Sequence, residues 1–311
     1  MKVFHNLNEV DVFNSVATIG FFDGVHIGHQ QILAGVIKRA KEFNTSSLVI
    51  TFWPHPRLVI GTQPDDLRLL SSQNEKIESF KNLGVDAVLF VEFTPQFAAL
   101  SAADFVKTIL AEKLKVKHMV VGYNNNFGSK GEGNFSLLQG FGHRYGFTSE
   151  LINPVEVEGV SVSSSKIRAA LERGNLDFAN RFLGYCYPIT GTIEGGKQIG
   201  RSIGFPTANI SPSETHKQIP GFGVYAVWFD YDGKSYPAML NIGVKPTVGS
   251  ELDRTIEAHI IGFNQNIYAR EVMVRFVKKI RDEMRFPSLE HLKNQLVDDK
   301  ARVLSVLGIT E

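Results

Sequence analysis

A chain of 311 residues, 43% hydrophobic and 21% charged, has material for a sizeable core and for two domains, and is not the composition of a disordered or fibrous protein. Lys+Arg 33 against Asp+Glu 32 leaves a formal charge of +1, without the basic surplus of a nucleic-acid binder. The single cysteine, Cys186, cannot form an internal disulfide; it suits a reducing compartment and reads as a small buried hydrophobe. The opening MKVFHNLNEVDVF lacks the apolar run of a signal peptide, and no stretch is long enough to span a bilayer. A cytoplasmic protein with no membrane and no nucleic-acid partner is expected.

Up to about Gly184, short apolar runs alternate with amphipathic helices. VATIGFF (16–22) reads as a buried strand, and the helix after it places Ile32, Leu33, Val36, Ile37, Ala40 and Phe43 on one face. SLVITF (47–52) follows, then a helix carrying Ile77, Phe80 and Leu83 that stops at Gly84. AVLFVEF (87–93) precedes a helix opened by Ser101 with Asp104 three residues on. HMVVGY (118–123) and FTSELI (147–152) complete five strands. This alternation predicts an α/β domain with a parallel sheet covered on both faces, whose ligands bind at the carboxyl ends of the strands. From Tyr187 the rhythm is β-rich, punctuated by Gly, Asp and Pro turns, with Asp232-Gly233 a hairpin signal. It predicts a small antiparallel barrel closed by one helix, from about Ser288, with Leu289, Leu292, Leu296, Val303, Leu304 and Leu307. The domains are expected at 1–184 and 187–311.

His26-Ile27-Gly28-His29 stands where the first strand gives way to its helix. Unpaired backbone N–H groups at a helix start attract phosphate. Gly28 keeps a side chain out of the way, and two imidazoles one turn apart can both donate to phosphate oxygens. Zinc is disfavoured, with one cysteine and no HExxH motif. Two further segments belong at the same end of such a sheet. TFWPHP (51–56) leaves the second strand, and VSSSKIR (162–168) opens a helix whose serines suit a cap and whose Arg168 suits a phosphate.

The order GFFDGVHIGH, TFWPHP, VGYNNNFG and VSSSKIR resembles the adenylyltransferase half of the prokaryotic bifunctional FAD synthetases, the riboflavin kinase/FMN adenylyltransferases. The resemblance implies a Rossmann-like nucleotidyltransferase domain of the HxGH type. It implies that His26, His29, Ser164, Ser165 and Arg168 hold the ATP phosphates, with Gly20, Phe21, Asp23 and Gly28 completing the ATP site. His26, His29 and Arg168 are the catalytic candidates. The Pro54–Arg57 loop, through His55 and Pro56, and the segment around Asn124 would shape the flavin side. NNNFGSKGEG departs from the family in carrying no arginine. FMN phosphate is already an anionic nucleophile, so this reaction needs positioning and charge neutralisation rather than a base.

GTIEGGKQ (191–198) imitates a phosphate-binding P-loop, but Gln198 replaces the Ser/Thr and no amphipathic helix follows. The longer GTIEGGKQIGRSIGFPTANI, with NIGVKPTVG and TIEAHIIGF, is similar to the riboflavin kinase module, a six-stranded barrel with a C-terminal helix. That likeness implies ATP contacts at Gly195, Lys197, Gly200, Thr207 and Asn209, with Thr207 and Asn209 as hard ligands for Mg²⁺. It makes Glu257 the base for the riboflavin 5′-hydroxyl, on the strand face shared with Thr255 and His259, and leaves His259 structural. The expected activities are riboflavin to FMN and FMN to FAD, each with ATP, in a monomer or weak homo-oligomer. The rivals are another HxGH transferase and a flavin- or nucleotide-sensing regulator that does not turn over.

Overall fold

The computed structural model describes residues 1–10, 14–60, 67–195, 200, 203–244 and 254–310, and divides into two compact units, Met1–Ser164 and Ser165–Glu311. In the first unit, strands β1 (Lys2–Phe4) and β2 (Ser15–Ile19) precede helix α1 (Ile27–Glu42) and strand β3 (Ser46–Trp53). Helices α2 (Pro56–Ile60) and α3 (Gln73–Asn82) lead to β4 (Ala87–Glu92) and the short α4 (Pro95–Ala98). Helix α5 (Ala102–Asp104) continues as a π-helical stretch, Phe105–Lys113, before β5 (His118–Gly122), α6 (Phe135–Tyr145) and β6 (Thr148–Ile152). A two-stranded ribbon, β7 (Glu156–Val157) with β8 (Val160–Ser161), leads into α7 (Ser164–Glu172).

The six main strands are all parallel, in the order β1-β4-β3-β2-β5-β6. Both faces are apolar, as the sequence predicts. Ala17, Ile19, Leu48, Ile50, Leu89 and Val121 pack with Phe105, Val106 and Leu138, whereas Val49, Val88 and Phe90 pack with Leu33 and Phe80. Every residue of β2 is buried, which suits its central place. From β2 the chain moves outward through β3 and β4, then returns to set β5 on the other side. The order therefore reverses between β2 and β5, where such sheets form a crevice. Three residues are too few to show a period, so β1 has no signature in the sequence.

In the second unit, α8 (Leu176–Leu183) precedes β9 (Tyr187–Glu194), β10 (Ala208–Pro212), β11 (Gly223–Tyr231), β12 (Lys234–Val244), β13 (Arg254–Ile260) and β14 (Glu271–Arg281). These six strands close an antiparallel barrel, β10-β13-β12-β11-β14-β9. Asp232 and Gly233, both at positive φ, make the two-residue turn between β11 and β12. Helix α9 (Leu289–Val306), capped by Ser288, lays Val303 over Val224, Ala226 and Met239. Its Asp299 is 0% exposed and meets Arg281 at 2.8 Å, a buried pair that Gln295 completes at 2.9 Å.

Some expected core positions lie outside the core. Phe43 is 43% exposed because it is the C-cap of α1, and its ring stacks at 5.4 Å on His118. Leu83 and Leu289 are also exposed, each at a helix end where the buried stripe has run out. Cys186 is half-buried in the link between α8 and β9.

Helix α8 belongs to the barrel's packing. It buries Leu176, Ala179, Phe182 and Leu183, and Asn180 donates to the Phe276 carbonyl at 2.9 Å while accepting from the Tyr187 N–H at 2.9 Å. Gly221 N–H also donates to the Leu171 carbonyl at 2.8 Å. A fragment of residues 165–311 should therefore be more stable to urea than one of 187–311, by about 3 kcal/mol from the apolar area of α8. Equal midpoints for the two fragments would show that α7 and α8 contribute nothing to the barrel.

Candidate active sites

His26 is the N-cap of α1. Its Nδ1 accepts the His29 N–H at 3.3 Å, so its ring performs the role a serine or aspartate side chain usually fills. The two imidazoles stack with centroids 3.6 Å apart and planes 13° from parallel. A Cβ on Gly28 would lie 3.3 Å from the His26 ring, so this glycine gives the capping imidazole its room. Gly20 does the same for the Phe22 ring, at 3.2 Å. The His29 Nδ1 is buried without a hydrogen-bond partner. Burial, then the neighbouring His26, then Lys76 hold the His29 imidazole well below the usual histidine range, so it is neutral at pH 7.

The turn ahead of this pair is strained and pinned. Phe22, Gly24 and Val25 all have positive φ, at 49°, 76° and 33°, an outlying conformation for a β-branched valine. The buried Asp23 carboxylate accepts from the Leu70 N–H at 2.9 Å and the Ser71 N–H at 3.2 Å, while Ser71 Oγ accepts the Gly24 N–H at 3.0 Å. Ser164 Oγ donates to the Asp23 carbonyl at 2.9 Å, and Gln30 donates to the Val25 carbonyl at 2.9 Å. Asp23 therefore shapes the loop through its carboxylate. Further along α7, Arg168 donates to Ser165 Oγ at 3.3 Å.

Next to the positions expected on the flavin side, the ring of Phe21, itself expected at the ATP site, is 42% exposed and lies 5.1 Å from the His55 ring and 5.4 Å from Phe52. His55 Nδ1 accepts the Arg57 N–H at 3.2 Å, and Pro56 is buried as the first residue of α2. Asn124 is exposed just beyond β5. Its neighbour Asn125, which sequence reasoning does not single out, donates to the Ile19 carbonyl at 2.7 Å and so ties the ends of β2 and β5 together.

In the barrel, register assembles the second group. Asn209 lies directly opposite Glu257 across β10 and β13, and Asn241 lies opposite Glu257 on the other side, from β12. Ile256, Ala258 and Ile260 are buried, leaving Thr255, Glu257 and His259 on the partly open face, as alternation predicts. His259 holds the Pro206 carbonyl at 2.9 Å through Nδ1, which must carry the proton there, and so fixes the start of Pro206–Asn209. Gly200 closes a tight turn, accepting the Phe205 N–H at 2.8 Å; a Cβ there would lie 2.2 Å from the Phe205 carbonyl oxygen. Gly195 is exposed, Thr207 is half-buried, and Lys197 lies outside the described residues, as does residue 245–249 of NIGVKPTVG. The P-loop imitation begins inside β9. Asn241 had no signal in the sequence beyond its place in an alternating strand.

The FAD synthetase family model matches residues 9–166 and the riboflavin kinase model matches residues 183–307. Bifunctional riboflavin kinase/FMN adenylyltransferases are similar over nearly the whole chain. That of Pseudomonas fluorescens is 41% identical over 92% of this chain and 91% of its own, and that of Escherichia coli K12 is 38% identical over 99% and 97%. The chain belongs to this family. It is a bifunctional riboflavin kinase/FMN adenylyltransferase, making FMN and FAD. A solved structure titled macrolide-efflux protein, from Streptococcus pneumoniae, shares the architecture with a TM-score of 0.87 and 30% identity, covering 96% of this chain and 97% of that one. The riboflavin kinase match removes the rival of an HxGH transferase acting on another substrate.

In this synthetase the depressed pKa of His29 has a sign that can be checked. Below the ordinary imidazole pKa of about 6.5, the unfolded chain takes up a proton at His29 and the folded chain does not. Its contribution is therefore fully present above that value and is lost as pH falls from there toward the folded pKa. The chain has two tryptophans, Trp53 and Trp228, one in each unit. In a Trp228→Phe background, Trp53 fluorescence during urea unfolding should show stability falling from pH 7 to pH 5. His29→Asn should reduce that fall, leaving the share due to His118, whose pKa burial also lowers. An unchanged pH slope in His29→Asn would show that His29 does not stay neutral.

Proposed function

We propose that the two reactions are divided between these constellations, riboflavin phosphorylation within residues 187–311 and FMN adenylylation within residues 1–184. The observation that carries the kinase assignment is the cross-strand register that sets Asn209 opposite Glu257. In the kinase reaction the riboflavin 5′-hydroxyl oxygen attacks the γ-phosphorus of ATP, the bond to the β-phosphate oxygen breaks, and Glu257 accepts the hydroxyl proton. Thr207 and Asn209 would hold Mg²⁺. Their hydroxyl and amide oxygens are hard donors, and two protein oxygens leave the other positions to phosphate and water, as this ion prefers. Bound there, the ion supplies neutralisation of phosphate charge. Gly195, Lys197 and Gly200 belong to the ATP contacts of the same site.

In the adenylylation, an oxygen of the FMN phosphate attacks the α-phosphorus of ATP and pyrophosphate leaves. No proton has to be removed from the nucleophile. His26, His29, Ser164, Ser165 and Arg168 grip the phosphates, and Gly20, Phe21, Asp23 and Gly28 form the turn and helix start behind them. The stacked imidazoles at the cap of α1 and the stranded His29 Nδ1 support this, since phosphate oxygens supply what those groups lack. His55, Pro56 and Asn124 line the flavin side. The enzyme acts on free riboflavin, FMN and ATP in the cytoplasm, without nucleic acid or membrane, as a monomer or weak homo-oligomer.

Glu257→Gln keeps size and hydrogen bonding but removes the proton acceptor. Riboflavin phosphorylation should slow by roughly 10²–10⁴-fold, while added FMN is converted to FAD at the wild-type rate. Chromatography of the flavins reads both steps in one sample, and full kinase activity in this variant would place the base elsewhere. His26→Ala and His29→Ala should show the converse pattern, with FMN accumulating and FAD formation lost. Equal loss of both activities in a folded histidine variant would overturn the division of labour.

A further inference from the structure

Lys76 is only 1% exposed, yet neither reaction as derived above uses it. It lies in the second turn of α3, after a capping box formed by Ser72 and Glu75. Its Nζ donates to the Phe21 carbonyl at 2.9 Å and stands 5.7 Å from the centroid of the Trp53 ring. The same carbonyl accepts from Thr51 Oγ1 at 3.4 Å. One turn further along α3, Phe80 meets Phe22 edge-on at 5.8 Å, and Phe22 meets His29 edge-on at 5.2 Å. Helix α3 thus backs the strained turn at two successive residues, through a hydrogen bond at Phe21 and a ring contact at Phe22.

Taking a lysine ammonium out of water is costly, and a helix that needed only a helix former at this position would leave the residue in solvent. Among the contacts described, the ammonium faces the turn that leads to the histidines and the Trp53 ring. The titratable groups that bear on His29 are His26, from the cap of α1, and Lys76, from α3. A positive charge fixed in a water-poor wall acts more strongly on a polyanion than one in solvent, and it needs no reorganisation when the ligand arrives.

We propose that Lys76 is a positioning residue of the adenylylation site, holding the Phe21–Val25 turn in the conformation that presents His26 and His29 and adding a fixed positive charge behind them for the triphosphate of ATP. The inference rests on the assignment of His26 and His29 to the ATP phosphates. It explains why the turn keeps positive φ at Phe22 and Val25: the carbonyl ahead of them is gripped from α3, and Asp23 between them is gripped by Leu70 and Ser71.

The test is Lys76→Met in the full chain, which keeps an unbranched side chain and removes the ammonium. FAD formation from FMN should lose about 10²-fold in kcat/KM for ATP, the size of effect that an ångström of misplacement produces. Riboflavin phosphorylation by the same molecules should be unchanged. With one positive neighbour gone, the His29 ring should titrate at a higher pH by nitrogen NMR, and Lys76→Arg, which disturbs the same packing but keeps the charge, should show a smaller rise. Normal FAD formation in a folded Lys76→Met protein overturns the proposal. So does a loss of FAD formation with the His29 titration unmoved, because Lys76 is then a purely structural residue. If Lys76→Met fails to fold by circular dichroism and Trp53 fluorescence, Lys76→Gln, which keeps a donor without the charge, decides by the same readings. His29→Asn measured in parallel separates this inference from its premise. An inactive His29→Asn beside a fully active Lys76→Met sinks the lysine alone, whereas a fully active His29→Asn sinks the phosphate assignment itself.

Discussion

Backbone pairing between strands decides which loops of this enzyme can share a site, because each ladder of hydrogen bonds allows its strand few alternative neighbours. In the sheet unit, β2 is paired with β3 on one side and β5 on the other, so the strand order reverses between β2 and β5, the place where sheets of this kind bind ligands. The turn from Gly20 to His26 starts at that point, and Asn125 crosses from the end of β5 to the carbonyl of Ile19. In the barrel, the pairing of β10, β13 and β12 sets Asn209, Glu257 and Asn241 in one lateral row. Both constellations are consequences of register.

The turn that carries the histidines shows how an unfavourable backbone is maintained. Positive φ at a phenylalanine and a valine costs on the order of 1–3 kcal/mol each and persists only where the surroundings over-determine it. Here the Asp23 carboxylate, the Asp23 carbonyl, the Val25 carbonyl and the Phe21 carbonyl are all held by groups distant in sequence. What that investment secures is a capping imidazole stacked on a second one, both at the positive end of a sixteen-residue helix. For the adenylylation site proposed above, such rigidity leaves little to be ordered when two anions bind.

Under the division of labour proposed above, the two halves differ in the chemistry they must supply. A hydroxyl nucleophile has to lose its proton, and the proposed kinase site has a carboxylate opposite two amide side chains. A phosphate nucleophile arrives ionised, and the proposed adenylylation site has donors and positive charge instead. Burial keeps the His29 imidazole neutral; a phosphate beside it would favour the protonated form. The buried Arg281–Asp299 pair and the seat of α8 on β9 and β14 serve the barrel itself, holding helices against a sheet with few layers around it.

Much of this was legible from the sequence. Short apolar runs alternating with amphipathic helices marked the parallel strands, alternation in TIEAHI put Glu257 and His259 on the same face, and Asp232-Gly233 marked a hairpin. Those are local signals, because side-chain period and turn chemistry act over a few residues. The family resemblance was legible for the same reason, because each of its motifs is a contiguous run. What the sequence could not show depends on contacts between distant segments. Lys76 looks like a solvated helix residue until Phe21, fifty-five positions earlier, is seen beneath it. That the Asp23 carboxylate takes the Leu70 and Ser71 N–H groups is visible only in the fold. So is the room that Gly28 leaves for the His26 ring. Asn241 comes opposite Glu257, and Asn125 meets the Ile19 carbonyl, only when strands pair, and Phe43 leaves the core only because its helix ends there. Composition and period fix what each segment can become; which buried polar groups satisfy one another is decided by the packing of the whole chain.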